Sequence, residues 1–474
     1  MKVKYASALL GLLSSALSFQ PYAAPISFQD AWQILQQSNN SLAAQRANVE
    51  RYQHLQSAKD DLNLPSVTLG AKYIRLDTDV TVSGQQLLDS TGAALPTTLP
   101  PQWGGIVHGL LNTTSTITER DIFSSSIRAI WPIFTGGRIT AAQNAAEGQS
   151  DEAKSQLAME VQARYEDLSK YYFSVLLAQD VLETRKSVET GLTQHRDFAI
   201  KMEQQGQIAH VERLQAEASL DKAIVDRKKA QRNLDIAQSA LTQILSQDAQ
   251  VEPSDVLFTN DNLPPLSAFI DQTLNTYPGL AILDAKQKQA SSLIAAEKGK
   301  YYPEVFLFGD YSLHEDDSLA SQMKPDWLVG VGVNIPLIET SGRSENIKAA
   351  HSAVSQVKYL KAQAKQDLSV LVEKTYLEAE QSVEEVSGLN SSLKLADENL
   401  RLRSKAFTQG LANSLEVVDA QLYLASIKTQ QSVARFQYLI SLNKLLALSS
   451  EMNAFPQYQY SASTTDNATQ KDPS

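Results

Sequence analysis

Two stretches of this chain repeat apolar positions in alternating steps of four and three. From Ala216, the residues Leu220, Ala223, Ala230, Leu234, Ala237, Leu241 and Ile244 keep that spacing, with Arg227 as the one charged position. From Ala420, it returns through Leu424, Ile427, Gln431, Ala434, Tyr438, Ser441, Leu445 and Leu448. A sustained 3.5-residue period predicts a coiled-coil seam. A further long helical pattern precedes each seam, over roughly 139–205 and 347–409. A helix of about 65 residues is about 100 Å long at 1.5 Å per residue, more than a compact core needs.

Elsewhere the period changes to two, which predicts strands. In "PSVTLGAKY", Val67, Leu69, Ala71 and Tyr73 alternate with Ser66, Thr68, Gly70 and Lys72. In "PEVFLFGDY", Val305, Leu307, Gly309 and Tyr311 hold the matching face. A second pair aligns Phe123, Ile127, Ala129 and Trp131 with Trp327, Val331, Val333 and Ile335. Strands of about ten residues suit a tilted crossing of a hydrocarbon layer. Alternation alone describes a half-buried sheet in a soluble protein equally well. Four strands cannot close a bilayer barrel, because the smallest known have about eight. A membrane sheet here therefore requires an oligomer, since unpaired edges in lipid cost several kcal/mol per group.

These elements occur twice. Leu42, Pro65, Leu69 and Tyr73 return 238 positions later as Leu280, Pro303, Leu307 and Tyr311. Pro132, Gly206, Glu212 and Ala216 return 204 positions later as Pro336, Gly410, Glu416 and Ala420. The difference places a 34-residue insertion between Tyr73 and Pro132, where "TGAALPTTLPPQWGG" reads as a long surface loop. The expected organisation is a first repeat over 25–250, a proline-rich joint over 251–266 and a second repeat over 267–451. Residues 452–474 lack periodicity and read as a disordered tail.

The first 24 residues have the form of a signal peptide. "MKVK" is a basic start and "YASALLGLLSSAL" an apolar core too short to span a bilayer. Ala23 and Ala24 offer a cleavage site, although Tyr22 fits the small-x-small rule poorly. The mature chain is expected to be exported. Its net charge of −11 argues against nucleic acid as a partner. With no cysteine there can be neither disulfide nor thiolate metal site. The six histidines show no HxxxH or HExxH spacing, and neither a GxSxG elbow nor a GxxxxGK[ST] loop is present. "TGGR" at 135–138 reads as a strand-to-helix turn. Neither an enzyme nor a cofactor is expected.

An exported, duplicated chain with this order of elements resembles the TolC-like outer-membrane efflux channels. The resemblance runs from about Ser27 to Ser450. It is carried by "AKDDLNLPSVTLGAKY" and "AEKGKYYPEVFLFGDY", by "WPIFTGGR" and "IPLIETSGR", and by "MEQQGQIAHVERLQAEA" and "FTQGLANSLEVVDAQL". It implies an α+β membrane protein that works as a homotrimer. Each chain would give four strands to a 12-stranded β-barrel in outer-membrane lipid, continued by an α-helical coiled-coil tunnel through the periplasm. It also implies a periplasmic adaptor and an inner-membrane transporter as partners, with small molecules or secreted polypeptides as cargo.

The resemblance places Gly206 and Gly410 at the tips of two helical hairpins, where the flanking Gln205 and Gln409 become candidate adaptor contacts. It gives Glu416 and Asp419 to an acidic, cation-selective ring at the periplasmic gate. A spacing of three sets them near one helix face. Asn413 and Glu416 also fit a helix-capping pair, so Glu416 has a structural role open to it. Glu212, with Ala209 at the matching cap, reads as structural or solvent-facing. The chain departs from the family where the prototype's closed tip uses a tyrosine and an arginine, since Phe407 and Ala412 stand there. A lock at this gate must use other bonds or be looser. The rival class is a soluble periplasmic coiled-coil adaptor or scaffold, which would not need two copies of a paired-strand unit.

Overall fold

The structure is a computed structural model and describes residues 25–92, 100–315, 319–322, 324–338 and 340–469. The leader at 1–24 lies outside the described residues. In the first half come α1 (Phe28–Ser38), α2 (Asn40–Asp60), β1 (Ser66–Arg75), β2 (Val80–Ser83), α3 (Gly84–Thr91) and α4 (Pro101–Leu111). They are followed by β3 (Thr114–Thr118), β4 (Asp121–Phe134), α5 (Arg138–Gln204) and α6 (His210–Ile244). The second half holds α7 (Leu266–Thr276), α8 (Pro278–Gly299), β5 (Glu304–Glu315), α9 (Leu319–Gln322) and β6 (Trp327–Asn334). It closes with α10 (Arg343–Thr408), α11 (Ser414–Leu448) and α12 (Phe455–Thr469).

The duplication is thus physical. With 67 residues α5 is matched by α10 with 66, and α6 and α11 have 35 each. Chain contacts divide the protein into two compact units.

One unit, residues 48–154 and 282–360, contains the sheet. Its strand order is β1-β4-β5-β6, antiparallel throughout. The register stacks the predicted faces into rows. Leu69 pairs with Ile127, Ile127 with Tyr311, and Tyr311 with Trp327. One row over, Val67, Ala129, Gly309 and Val329 align in the same way. This face is apolar and bare, with Leu69 72 % and Val329 75 % exposed. The opposite face carries Lys72, Ser124, Ser126 and Arg128. Ile335, assigned by pattern to the last strand, lies just past the end of β6.

Two expectations in this unit are corrected. The insertion is not a plain loop: α3, α4 and the small β2-β3 sheet occupy most of it, while 93–99 lie outside the described residues. Ser83 and Gln86 form a reciprocal capping box that starts α3, a local signal inside a segment otherwise read as turn-rich. β4 also begins further out than the alternation suggested. Pro132 is accommodated at a register shift between Pro132 and Phe134, where no ladder N–H is needed.

The other unit, residues 1–47, 155–281 and 361–474, is built around the long hairpins. An aromatic cluster anchors it. Phe28 lies 5.4 Å, centroid to centroid, from both Tyr165 and Tyr172, and 4.9 Å from Phe455. Phe455 begins α12, so residues 455–469 of the tail expected to be disordered are helical, and 470–474 lie outside the described residues. The Asn260 side chain donates to Tyr458 O at 3.0 Å and Gln459 donates to Asp255 at 3.0 Å, which holds the helix down. Polar composition concealed this helix because one buried phenylalanine and side-chain hydrogen bonds do the anchoring.

The seams also differ in one respect. Every predicted seam residue of α11 is buried. On α6 the pattern holds to Leu234, after which Gln238 and Leu245 are buried in place of Ala237 and Ile244. Steps of four, four and three from Ala230 to Leu241 make an 11-residue period, which follows the straight helix more closely than a heptad does.

Candidate functional site

Both long hairpins reverse through the same turn. At the end of α5, Gly206 N donates to Glu203 O and Gln207 N to Met202 O, each at 2.8 Å. At the end of α10, Gly410 N donates to Phe407 O and Leu411 N to Ala406 O, each at 2.9 Å. These paired bonds are Schellman motifs, which need a left-handed residue. Gly206 has φ 73° and Gly410 φ 72°, a conformation that costs other residues about 1–2 kcal/mol. Gln205 and Gln409 are exposed beside the glycines, and Leu411 is 78 % exposed.

The same turn is closed by different chemistry in each half. In the first hairpin, Glu203 forms an ion pair with Arg213 at 2.7 Å and pairs with His210 at 2.6 Å. The equivalent positions in the second hairpin are Phe407 and Val417, which are both buried in one apolar cluster. Phe407 is 2 % exposed and packs with Ala199, Met202 and Ala216 of the first hairpin, while Ala412 lies against the same cluster. The side chain of Phe407, a gate candidate, thus joins the two hairpins within one chain.

Polar contacts reinforce that junction. Ser414 N donates to Glu212 Oε2 at 2.7 Å. The Ser414 hydroxyl lies 2.6 Å from His195 Nε2, and the His195 ring is 4.5 Å from that of Phe407. Burial lowers the His195 pKa to about 4, opposed by the Glu212 carboxylate. The imidazole is therefore neutral at ordinary pH. Sequence reasoning missed His195 and Ser414, because a lone histidine and a lone serine on separate helices carry no pattern.

The acidic positions separate in behaviour. Asn413 Oδ1 accepts from Glu416 N at 2.9 Å, so the expected cap is present. The Glu416 side chain does not return to the cap but forms an ion pair with Arg403 of α10. Asp419 is exposed and takes part in no ion pair among the described residues. Its first-half counterpart is Gln215, so this acid is peculiar to the second repeat.

The sheet and tips together match a known architecture. The family model of the outer membrane efflux proteins matches residues 31–247 and 269–450, nearly all of both repeats. The chain belongs to the outer membrane efflux protein family. Three solved structures share its fold at low identity. CusC superposes with a TM-score of 0.72 at 15 % identity, covering 90 % of this chain and 92 % of that one. The Campylobacter jejuni outer membrane channel CmeC gives 0.70 at 12 % identity, with 97 % of each chain covered. The open state of the Neisseria gonorrhoeae channel MtrE gives 0.70 at 18 %, covering 90 % and 89 %. No curated protein sequence matches this chain.

Membership resolves the choice left open by strand alternation. Outer membrane efflux proteins are channels rather than enzymes, and they reside in the outer membrane and extend into the periplasm. Their fold is a β-barrel continued by a helical tunnel. Among the described residues no helix is long and apolar enough to cross a membrane.

Proposed function

We propose that three copies of this chain close a 12-stranded barrel and form the outlet of a tripartite export system. An inner-membrane transporter supplies the energy and a periplasmic adaptor docks at the hairpin tips. The cargo is small toxic molecules or secreted polypeptides. The observation that carries this reading is the open four-stranded sheet. Its apolar face is bare and, among the described residues, its β1 and β6 edges are unpaired within one chain, a state that lipid tolerates only after closure with other copies.

At the periplasmic end, Asp419 and Glu416 would gather around the three-fold axis. Like charges there attract cations and set an entrance preference. Asp419 is the stronger contributor, because Arg403 offsets Glu416 within each chain. The exposed Gln205, Gln409 and Leu411 offer a mixed polar and apolar contact to an adaptor.

The chain has no cysteine, so single cysteines at 205 or 409 give clean cross-linking sites. Cells lacking the chain should become sensitive to exported toxic compounds, and the cysteine variants should restore resistance and cross-link to a periplasmic protein. Restored resistance with cross-links at a mid-helix position but none at either tip would contradict tip docking. Loss of the chain with no change in export would contradict the outlet role.

A further inference from the structure

The sheet face opposite the apolar one is polar over most of its length but changes character at its helix end. Arg128 Nε donates to Asp310 at 3.1 Å across β4 and β5. The next two rows toward the helices pair Ile130 with Phe308 and Pro132 with Phe306. Across β5 from these phenylalanines stand Gly330 and Gly332 of β6. A Cβ at Gly330 would lie 2.7 Å from Phe308 Cζ, and one at Gly332 would meet Phe306 still more closely. Both rings therefore lean across onto β6, in space that any side chain there would fill. The two rings are neighbours on this face, with centroids 6.1 Å apart and planes tilted by 48°, so they offer a pair of inclined aromatic surfaces rather than one flat plate.

We infer that Phe306 and Phe308 form an aromatic collar at the base of the barrel that retains flat aromatic cations in transit. This rests on the channel reading above. A phenyl face carries negative electrostatic potential and attracts cations. The net charge of −11 and the acids at the tip favour the same sign of cargo. Arg128, the nearest cation on this face, is already engaged by Asp310.

Single-channel recording on the reconstituted full chain tests the collar. The probes are N-methylacridinium and tetraethylammonium, which share a charge but not the rings. In the Phe306→Leu/Phe308→Leu variant, the dwell time of the acridinium block should shorten about tenfold, the scale of one lost cation–π contact. Tetraethylammonium block and potassium chloride conductance should not change. Should that variant fail to assemble, Gly330→Ala provides the second test. Its methyl group lifts the Phe308 ring into the bore, so conductance should fall. Unchanged acridinium dwell with conductance intact, or a Gly330→Ala channel like the parent, overturns the collar alone. Absence of current from the parent protein overturns the channel reading and the collar with it.

Discussion

The Glu212 carboxylate accepts a hydrogen bond from Ser414 N at 2.7 Å, so an acid of the first hairpin caps the first turn of α11 in the second. An acid near a helix N-terminus satisfies an orphan donor and complements the helix dipole. This bond joins residues 202 positions apart and lies beside the buried Phe407 cluster. Removing it with Glu212→Ala should cost about 1–2 kcal/mol, the usual worth of a cap. Hydrogen exchange across 412–418 should quicken about tenfold or more at that cost. Glu212→Gln, which keeps an acceptor, should change it little.

His195 should make the same junction sensitive to acid. Its pKa is about 4 in the fold because burial disfavours the charged form, against an ordinary value of 6.5. The unfolded state therefore binds more protons, and stability rises with pH. The contribution is present above pH 6.5 and is lost as pH falls toward 4. The groups facing the imidazole are the Ser414 hydroxyl, the Phe407 ring and the Glu212 carboxylate. Between pH 6.5 and 5 the junction should loosen, because the unfolded state takes up a proton that burial denies His195 in the fold. Exchange measured at both pH values should show the loosening in the parent and less of it in His195→Gln.

The two sheet faces should respond oppositely to charge. Val329 lies on the apolar face and Ser126 on the polar one. An arginine on the lipid side of a barrel costs about 2–4 kcal/mol near the bilayer midplane. Val329→Arg should therefore reduce the yield of detergent-extracted trimer, whereas Ser126→Arg should assemble and alter conductance. Gel mobility with and without boiling separates assembled from unassembled chain.

The tip glycines make a backbone prediction. No atom lies within 4 Å of a Cβ built on Gly410, so the penalty of Gly410→Ala comes from φ 72° alone. Thermal unfolding should show a loss of about 1–2 kcal/mol, and Gly410→Asn should recover part of it. A bulky residue such as tryptophan should still allow trimers but abolish export, because under the proposed tip docking it would block an adaptor's approach.

The elements themselves were legible because period and duplication repeat over many residues. Val67 to Tyr73 and Val305 to Tyr311 lie on one sheet face, as their alternation required. The α11 seam was legible to the last residue, because nine consecutive positions keep one spacing. Features held by single contacts were not. α12 depends on Phe455 and three side-chain hydrogen bonds, and the tip junction joins His195, Glu212, Phe407 and Ser414 from four helices. Such a site has no sequence period, because its members meet only after the hairpins pack. Glycines at the tips could be read because their bonds are local, whereas the Arg403 partner of Glu416 could not.

Single-channel current with divalent cation added on the periplasmic side tests the central claim most directly. A trimeric pore with an acidic entrance should pass steady currents that divalent ions block. Asp419→Asn should relieve the block strongly, and Glu416→Gln less, because Arg403 already offsets Glu416. Parent currents indifferent to divalent ions would contradict the acidic entrance, and folded protein that passes no current would contradict the channel.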